Sequence, residues 1–412
     1  MMFTVEQVRP LTVENKWVVH SYYSLNPYAP DGSGRILCAG GDYTTDVGEV
    51  FVLDKDGKVL DRFGKQKVSA IFYHTGLWQA WGKDAETVYY QAADGDVLHP
   101  HVRAHDLKTG KETDVQADME GAPIYGEPLL YGLSGIYYAS GYGDGRYHPE
   151  QSPVPFGARD EHGLFLCKPS TGEKRLALSV NDVLAIHPRR EELLAEDKKC
   201  FARTGTKSTL MIYCARYNRE GSRIMFHFGN HCTDKRRGEP HLLSLFTAKV
   251  GADGTLSDLR HALDLNYENT GVHWSWMNRD TLIGYAKTEK TEWKTALCAV
   301  KADGSDFRVL SRNFPSGGHP SVCPFDESIA VTDTWDTEDR SFGKILFIDT
   351  KTDTLIQEYR FPRANRKEGP IPSGRNRFYV CHHPVFNADG TRMLFNTLPD
   401  RNAQLCEMII GK

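Results

Sequence analysis

Three histidines stand at matched places in separate stretches of the chain: His273 lies seven residues before Asp280, His319 seven before Asp326 and His383 six before Asp389. His74, in Tyr73-His74-Thr75-Gly76-Leu77-Trp78, holds a corresponding place nearer the start. Neutral imidazoles that converge from different strands suit zinc, manganese, iron or nickel. The set His273, His319 and His383 therefore reads as a metal site, with His382 or Gln404 able to add a ligand. The ordinary use of any one of them is a hydrogen-bonding spacer; the shared register argues for the ion. His99-Pro100-His101, and His227 with His231 and Cys232, also have ligand spacing but show no third partner and read as structural. Gly141-Tyr142-Gly143-Asp144-Gly145, followed by Arg146-Tyr147-His148, reads as a loop presenting a cation and phenols. No G-x-S-x-G elbow, P-loop or dinucleotide fingerprint is present.

The elements that must position these side chains are strands. Short β-branched and aromatic runs end in Asp-Gly or Thr-Gly turns, as in Val50-Phe51-Val52-Leu53-Asp54-Lys55-Asp56-Gly57 and Leu164-Phe165-Leu166-Cys167 before Thr171-Gly172. A second turn family, including Tyr217-Asn218-Arg219-Glu220-Gly221 and Phe386-Asn387-Ala388-Asp389-Gly390, interleaves with the first. Successive turns recur every 50 to 80 residues or so, roughly the period of a four-stranded propeller blade with loop insertions. The fold class expected is all-β: a seven-bladed β-propeller of four-stranded antiparallel blades, forming one domain over residues 1–412. Blades are placed near 28–65, 70–117, 120–180, 205–262, 270–312, 316–361 and 378–410, with the strand around Trp17 to Tyr22 completing the last. A helix is expected at Arg189–Lys199 inside an insertion near 189–209, and a long loop at Pro362–Arg377. In such a ring, the residue before each innermost strand points into the channel mouth, which makes the histidine register meaningful.

Composition narrows the function classes. With 50 Lys and Arg against 54 Asp and Glu, the net charge of −4 offers no field for a phosphate backbone, which argues against nucleic acid. No run reaches the roughly 18 apolar residues of a membrane span, and the start lacks the basic head and apolar run of a signal peptide. A soluble cytoplasmic chain is expected, or a periplasmic or secreted one if a leader has been removed. The nine cysteines include no C-x-x-C pair and read as reduced thiols.

Several segments, in order over about residues 70 to 410, resemble the propeller polysaccharide lyases, the group of oligogalacturonate, ulvan and rhamnose-glucuronate lyases. The carrying segments are His74-Thr75-Gly76 with Trp81, Tyr131-Gly132-Leu133-Ser134, Gly317-Gly318-His319-Pro320-Ser321 leading to Thr332-Asp333-Thr334, and His383-Pro384-Val385-Phe386-Asn387-Ala388-Asp389-Gly390. The resemblance implies β-elimination at a uronic acid, which needs a neutralised C6 carboxylate, a base for the C5 proton and an acid for the C4 oxygen. It implies His74 and Tyr131 as catalytic residues, with Tyr125 a rival for the tyrosine, and Arg146 as the carboxylate partner. His273, His319 and His383 would hold a divalent ion, manganese or zinc, with calcium a further candidate. Where ulvan-type enzymes place a second histidine, this chain has Gln91, which can orient substrate but not transfer a proton. Trp78 and Trp274, with Trp81 and Trp276, suit stacking on a sugar, or equally a blade core.

The expected partner is therefore a uronate-containing oligosaccharide or polysaccharide. The other readings are a non-catalytic scaffold or sugar-binding propeller, since fold alone does not fix function, and a metal-dependent hydrolase or isomerase built on the same histidines.

Overall fold

The computed structural model describes residues 3–42, 45–68, 72–95, 100–115, 129–131, 134–141, 146–168, 170–230, 237–265, 273–287, 295–314, 318–364, 379–400 and 402–411. The alternating apolar runs fold into small antiparallel sheets in which strands pair with their sequence neighbours, Thr4–Leu11 excepted. The first runs Trp17–Val19, Ile36–Asp42, Val47–Leu53 and Val59–Lys67 from innermost to outermost strand. The others repeat this meander, with innermost strands at Ala80–Trp81, Leu129–Tyr131, Met211–Tyr217, Ser275–Trp276, Ser321–Cys323 and Val385–Phe386. This is an all-β β-propeller. Among the described residues six sheets have four strands, while Leu129–Tyr131, Gly163–Lys168 and Glu173–Ser179 form a three-stranded one. The expectation of seven four-stranded blades is corrected accordingly: among the described residues six are formed.

Both turn families close as their chemistry requires. Asp54 Oδ1 accepts from the amides of Asp56 (2.9 Å) and Lys58 (2.8 Å), and Gly57 takes a φ of +90° that a side chain would resist. In the second family, Asn218 Oδ1 accepts from Ser222 N at 2.9 Å, and Asn387 Oδ1 from Arg392 N at 3.0 Å. These turns start each second strand at one place, so the residues before each innermost strand stay in register around the ring.

Ring closure differs from expectation. Thr4–Leu11 pairs antiparallel with Gln404–Gly411 and completes the last sheet, whereas Trp17–Val19 is the innermost strand of the first. Pro10 tolerates this outermost place because no further strand needs its missing amide. A buried Glu407 ties the closure together. It accepts from Arg9 Nε (2.8 Å) and Nη2 (2.6 Å) and from the Tyr28 hydroxyl (3.0 Å), joining the first strand, the last sheet and the first sheet. Glu407→Ala removes the carboxylate shared by Arg9, Arg392 and Tyr28 and is expected to cost about 1–3 kcal/mol, seen as a lower denaturant midpoint at unchanged slope.

The helix expected at Arg189–Lys199 is found at Arg190–Thr204, ended by Gly205 at φ +73°. Val180–Ile186 precedes it, started by a capping box between Ser179 and Asp182. Arg159 pins the longer helix through a buried bidentate pair with Asp197, 2.6 and 2.7 Å. Short helices also form at Phe72–Thr75 and Ser134–Ala139. No helix among the described residues is long and apolar enough to cross a membrane. Most of the loop expected at Pro362–Arg377 lies outside the described residues.

Candidate functional site

Each expected histidine sits just before an innermost strand: His273 before Ser275–Trp276, His319 before Ser321–Cys323 and His383 before Val385–Phe386. His74 lies on the short helix Phe72–Thr75, ahead of Ala80–Trp81. Their rings meet. The His319 centroid is 4.1 Å from His383 and 4.2 Å from His273, and His74 is 4.8 Å from His383. Donor atoms of His74, His319, His383 and Cys381 all lie within 4.8 Å of one another. His273 packs on His319 but is not one of that donor group, and His74, expected as a catalytic residue, is.

Asp333 organises the group. Its buried carboxylate accepts from His319 N (2.8 Å) and Nδ1 (2.9 Å), and from the amides of His382 (3.1 Å) and His383 (3.2 Å). Burial alone would raise this carboxyl, but the His319 imidazole and these hydrogen bonds outweigh it and hold it well below the usual range. With Nδ1 donating to Asp333, the His319 nitrogen left to ligate is Nε2, which is buried without a hydrogen-bond partner. A carboxylate behind a ligating imidazole is a recurrent device for fixing its tautomer. Both ring nitrogens of His383 are likewise buried and unpartnered, and its backbone is held at φ +48°. A non-glycine residue in that region stores strain of order 1–3 kcal/mol and is over-represented at functional sites. Burial, then the neighbouring His319 and His74, push the His383 imidazole well below its ordinary value, so it is neutral and able to ligate. Orphaned, convergent nitrogens fit a divalent cation.

Tyr22 and Tyr23, which sequence reasoning missed, lie between Trp17–Val19 and the bridge from Tyr28 to Ile36. Tyr22 lies 4.9 Å from His383 and Tyr23 5.0 Å from His319, centroid to centroid. Over both rings, 5.3 Å away, sits the buried guanidinium of Arg216, which donates to the Tyr23 hydroxyl at 3.0 Å and to the Trp274 carbonyl. Burial pushes the Tyr23 phenol up to about 12 against the opposing pull of Arg216, so it keeps its proton at neutral pH. Tyr23 also lines a cavity of about 750 Å³ that begins two residues further along the innermost strands, at Ser275, Ser321 and Val385, with Trp276 and Arg279 on its wall. That volume suits an oligosaccharide unit or two.

The remaining expected residues separate. Trp78 and Trp274 are 2% and 0% exposed within two core clusters, so neither indole offers a face to a sugar. They are corrected to core residues, Trp274 packing where Gly284 leaves no side chain in the way. Gln91 is buried, its backbone N–H donating to the Leu77 carbonyl (2.7 Å) and its backbone carbonyl accepting from the Gln66 side chain (3.0 Å). Arg146 is exposed and Tyr131 ends the innermost strand of the three-stranded sheet, while Tyr125, the Tyr131 side chain and residues 142–145 lie outside the described residues. Of the competing clusters, His227 is buried against Tyr213 (5.6 Å), and His101 faces Asp94 and Asp114, which Arg103 bridges. His99, His231 and Cys232 fall outside the described residues.

Comparison with solved structures places this ring of sheets. Its full length superposes on 97% of an oligogalacturonate lyase in complex with manganese, with a TM-score of 0.59 at 15% identity. The oligogalacturonate lyase of Vibrio parahaemolyticus gives 0.58 at 13% identity, again over 100% of this chain and 97% of that one. The chain shares their propeller fold. Prolyl endopeptidases match with a TM-score of 0.51 at 10% identity over 93% of this chain but only 45% of theirs, so the same architecture also serves peptidases. No family model and no curated protein sequence matches.

Proposed function

We propose that this protein is a lyase that cleaves uronate-containing oligosaccharides or polysaccharides by β-elimination. The observation that carries the reading is the meeting of His74, His273, His319 and His383 beside a buried guanidinium and a protonated phenol. Elimination needs a proton acceptor, a proton donor and positive charge, and these groups supply all three. His74, His319 and His383 would hold a divalent ion, which when bound would supply fixed positive charge that favours a carboxylate nearby. His273, outside the donor group and part-exposed, is assigned the C5 proton. As the C4–oxygen bond breaks and the C4–C5 double bond forms, Tyr23 returns a proton to the departing oxygen. Arg216 adds charge behind the phenols, and Arg146 is the arginine that the resemblance implies for the incoming carboxylate. Tyr131, the tyrosine implied by the resemblance, is the rival donor.

Incubation with oligogalacturonate, ulvan and glucuronate-capped glycans, followed by the ultraviolet absorbance of the unsaturated product, is the test. His273→Ala is expected to lower turnover by about 10²–10⁴-fold. Tyr23→Phe should do likewise while Tyr131→Phe does not; the reverse would reassign the donor. New reducing ends with no unsaturated non-reducing end to match them would mean hydrolysis, and no product from any uronate would leave a binding protein. That second reading is favoured by the cavity alone, whose Trp276, Asn26 and Arg279 could hold a sugar without chemistry.

A further inference from the structure

We propose that Cys381 is the fourth donor to the ion and that its sulfur makes the site one for zinc in preference to manganese. The inference rests on the ion-site reading given above, though not on the elimination chemistry. Cys381 Sγ belongs to the group whose donor atoms lie within 4.8 Å of one another, and it stands two residues before His383 on the same stretch of chain. A tetrahedral ion bound by three imidazoles and a thiolate separates its donors by about 3.3–3.5 Å, from bond lengths near 2.0 Å to nitrogen and 2.3 Å to sulfur. The group as it stands needs a contraction of at most about 1.5 Å to reach that geometry.

The surroundings of the sulfur match a charged ligand. Arg363, 4% exposed, is clamped between the rings of Trp335 (4.1 Å) and Tyr379 (4.4 Å) and directs Nη2 at Cys381 Sγ, 3.8 Å away. The Tyr379 hydroxyl lies 3.9 Å from the same sulfur. No carboxylate pairs with Arg363 among the described residues, and its buried Nε has no partner. A buried cation without a counter-ion is costly, whereas a metal-bound thiolate beside it supplies the missing negative charge.

Donor softness then selects the metal. Thiolate sulfur favours zinc and other thiophilic ions, while manganese prefers carboxylate, carbonyl and water. Four protein donors also fill a tetrahedral zinc, the pattern of closed structural sites. The ion would thus tie the second, sixth and last sheets together around the channel and leave proton transfer to His273 and Tyr23.

The experiment uses the full-length chain stripped of metal and reloaded with cobalt(II) as a spectroscopic probe. A sulfur-to-cobalt charge-transfer band in the near ultraviolet is expected in the parent chain and in Cys214→Ser, and is lost in Cys381→Ser. In competition, zinc should displace manganese from the parent chain, and Arg363→Met should bind zinc about 10–100-fold more weakly. Zinc should also protect Cys381 from alkylation in the unmutated chain, read by peptide mass mapping, which needs no variant to fold. A cobalt protein without the band, a band that survives Cys381→Ser, manganese outcompeting zinc, or alkylation unaffected by zinc would each overturn the proposal. The elimination assay on the same samples separates this from the lyase reading: activity without the band refutes the sulfur ligand alone, and the band without activity refutes the lyase alone.

Discussion

Asp333→Ala is expected to abolish metal binding at working concentrations and to destabilise the fold together. This carboxylate satisfies the His319 ring and three backbone amides, two of them leading into His383. Removing it leaves the Nδ1–H of His319 and those amides buried without acceptors, at about 1–3 kcal/mol for each group so orphaned. It also frees the His319 ring to turn and relaxes the strained backbone of His383, so affinity should fall by at least the 10–100-fold typical of a lost partner behind a ligand. Asp333→Asn keeps one oxygen and should show a smaller loss of stability with a comparable loss of affinity. Calorimetric metal titration and denaturant unfolding of the two variants check this. Unchanged affinity in Asp333→Ala would remove the carboxylate from its role as organiser.

Acid should unfold the metal-free protein at a pH where most propeller carboxylates are still charged. Burial holds His20, His162 and His382 at about 4, with Arg363 adding to the effect at His382. In the unfolded chain these imidazoles return to about 6.5, so above that pH neither state is protonated and the native state is unpenalised. As pH falls from there towards 4, the unfolded chain takes up protons that the folded one refuses, and each imidazole costs about 1.4 kcal/mol per pH unit. Three acting together remove stability on the scale of a whole domain, about 5–15 kcal/mol. Denaturant midpoints should therefore be flat above about pH 7 and drop steeply towards pH 5. A midpoint that holds steady until the carboxylate range would show that these rings are solvated in solution.

The register of the histidines was legible because a propeller repeats its turns. Asn218 and Asn387 fix the start of each second strand through side-chain hydrogen bonds that depend only on local sequence, and that periodicity carries His273, His319 and His383 to the same height. What the residues alone do not disclose is which neighbours close around the channel. Tyr22 and Tyr23 enter the cluster because the chain leaves the ladder after Val19. Asp333 reaches it from the second strand of its sheet, and Cys381 carries no motif of its own. Trp78 and Trp274 were ambiguous for a physical reason: an indole is as apt to fill a blade interface as to meet a sugar, and depth decides between the two. The ring closure was misplaced because Thr4–Leu11, with Pro10 and mostly exposed side chains, looks less like a strand than Trp17–Val19. An outermost strand needs only one paired edge and little burial.

The shape of the site, imidazoles gathered against Arg216 and Tyr23, accounts for function only if acidic sugars are broken there without water. Digestion of oligogalacturonate in ¹⁸O-labelled water, with the reducing ends reduced by borohydride at once so that hemiacetal exchange adds no label, read by mass spectrometry, tests this most directly. The account predicts products that include a chain end carrying a C4–C5 double bond and no label introduced by cleavage, and loss of these products in His273→Ala. Labelled saturated ends would instead mean hydrolysis, and an intact oligosaccharide, together with every other uronate glycan tried, would mean that the imidazoles serve binding or structure alone.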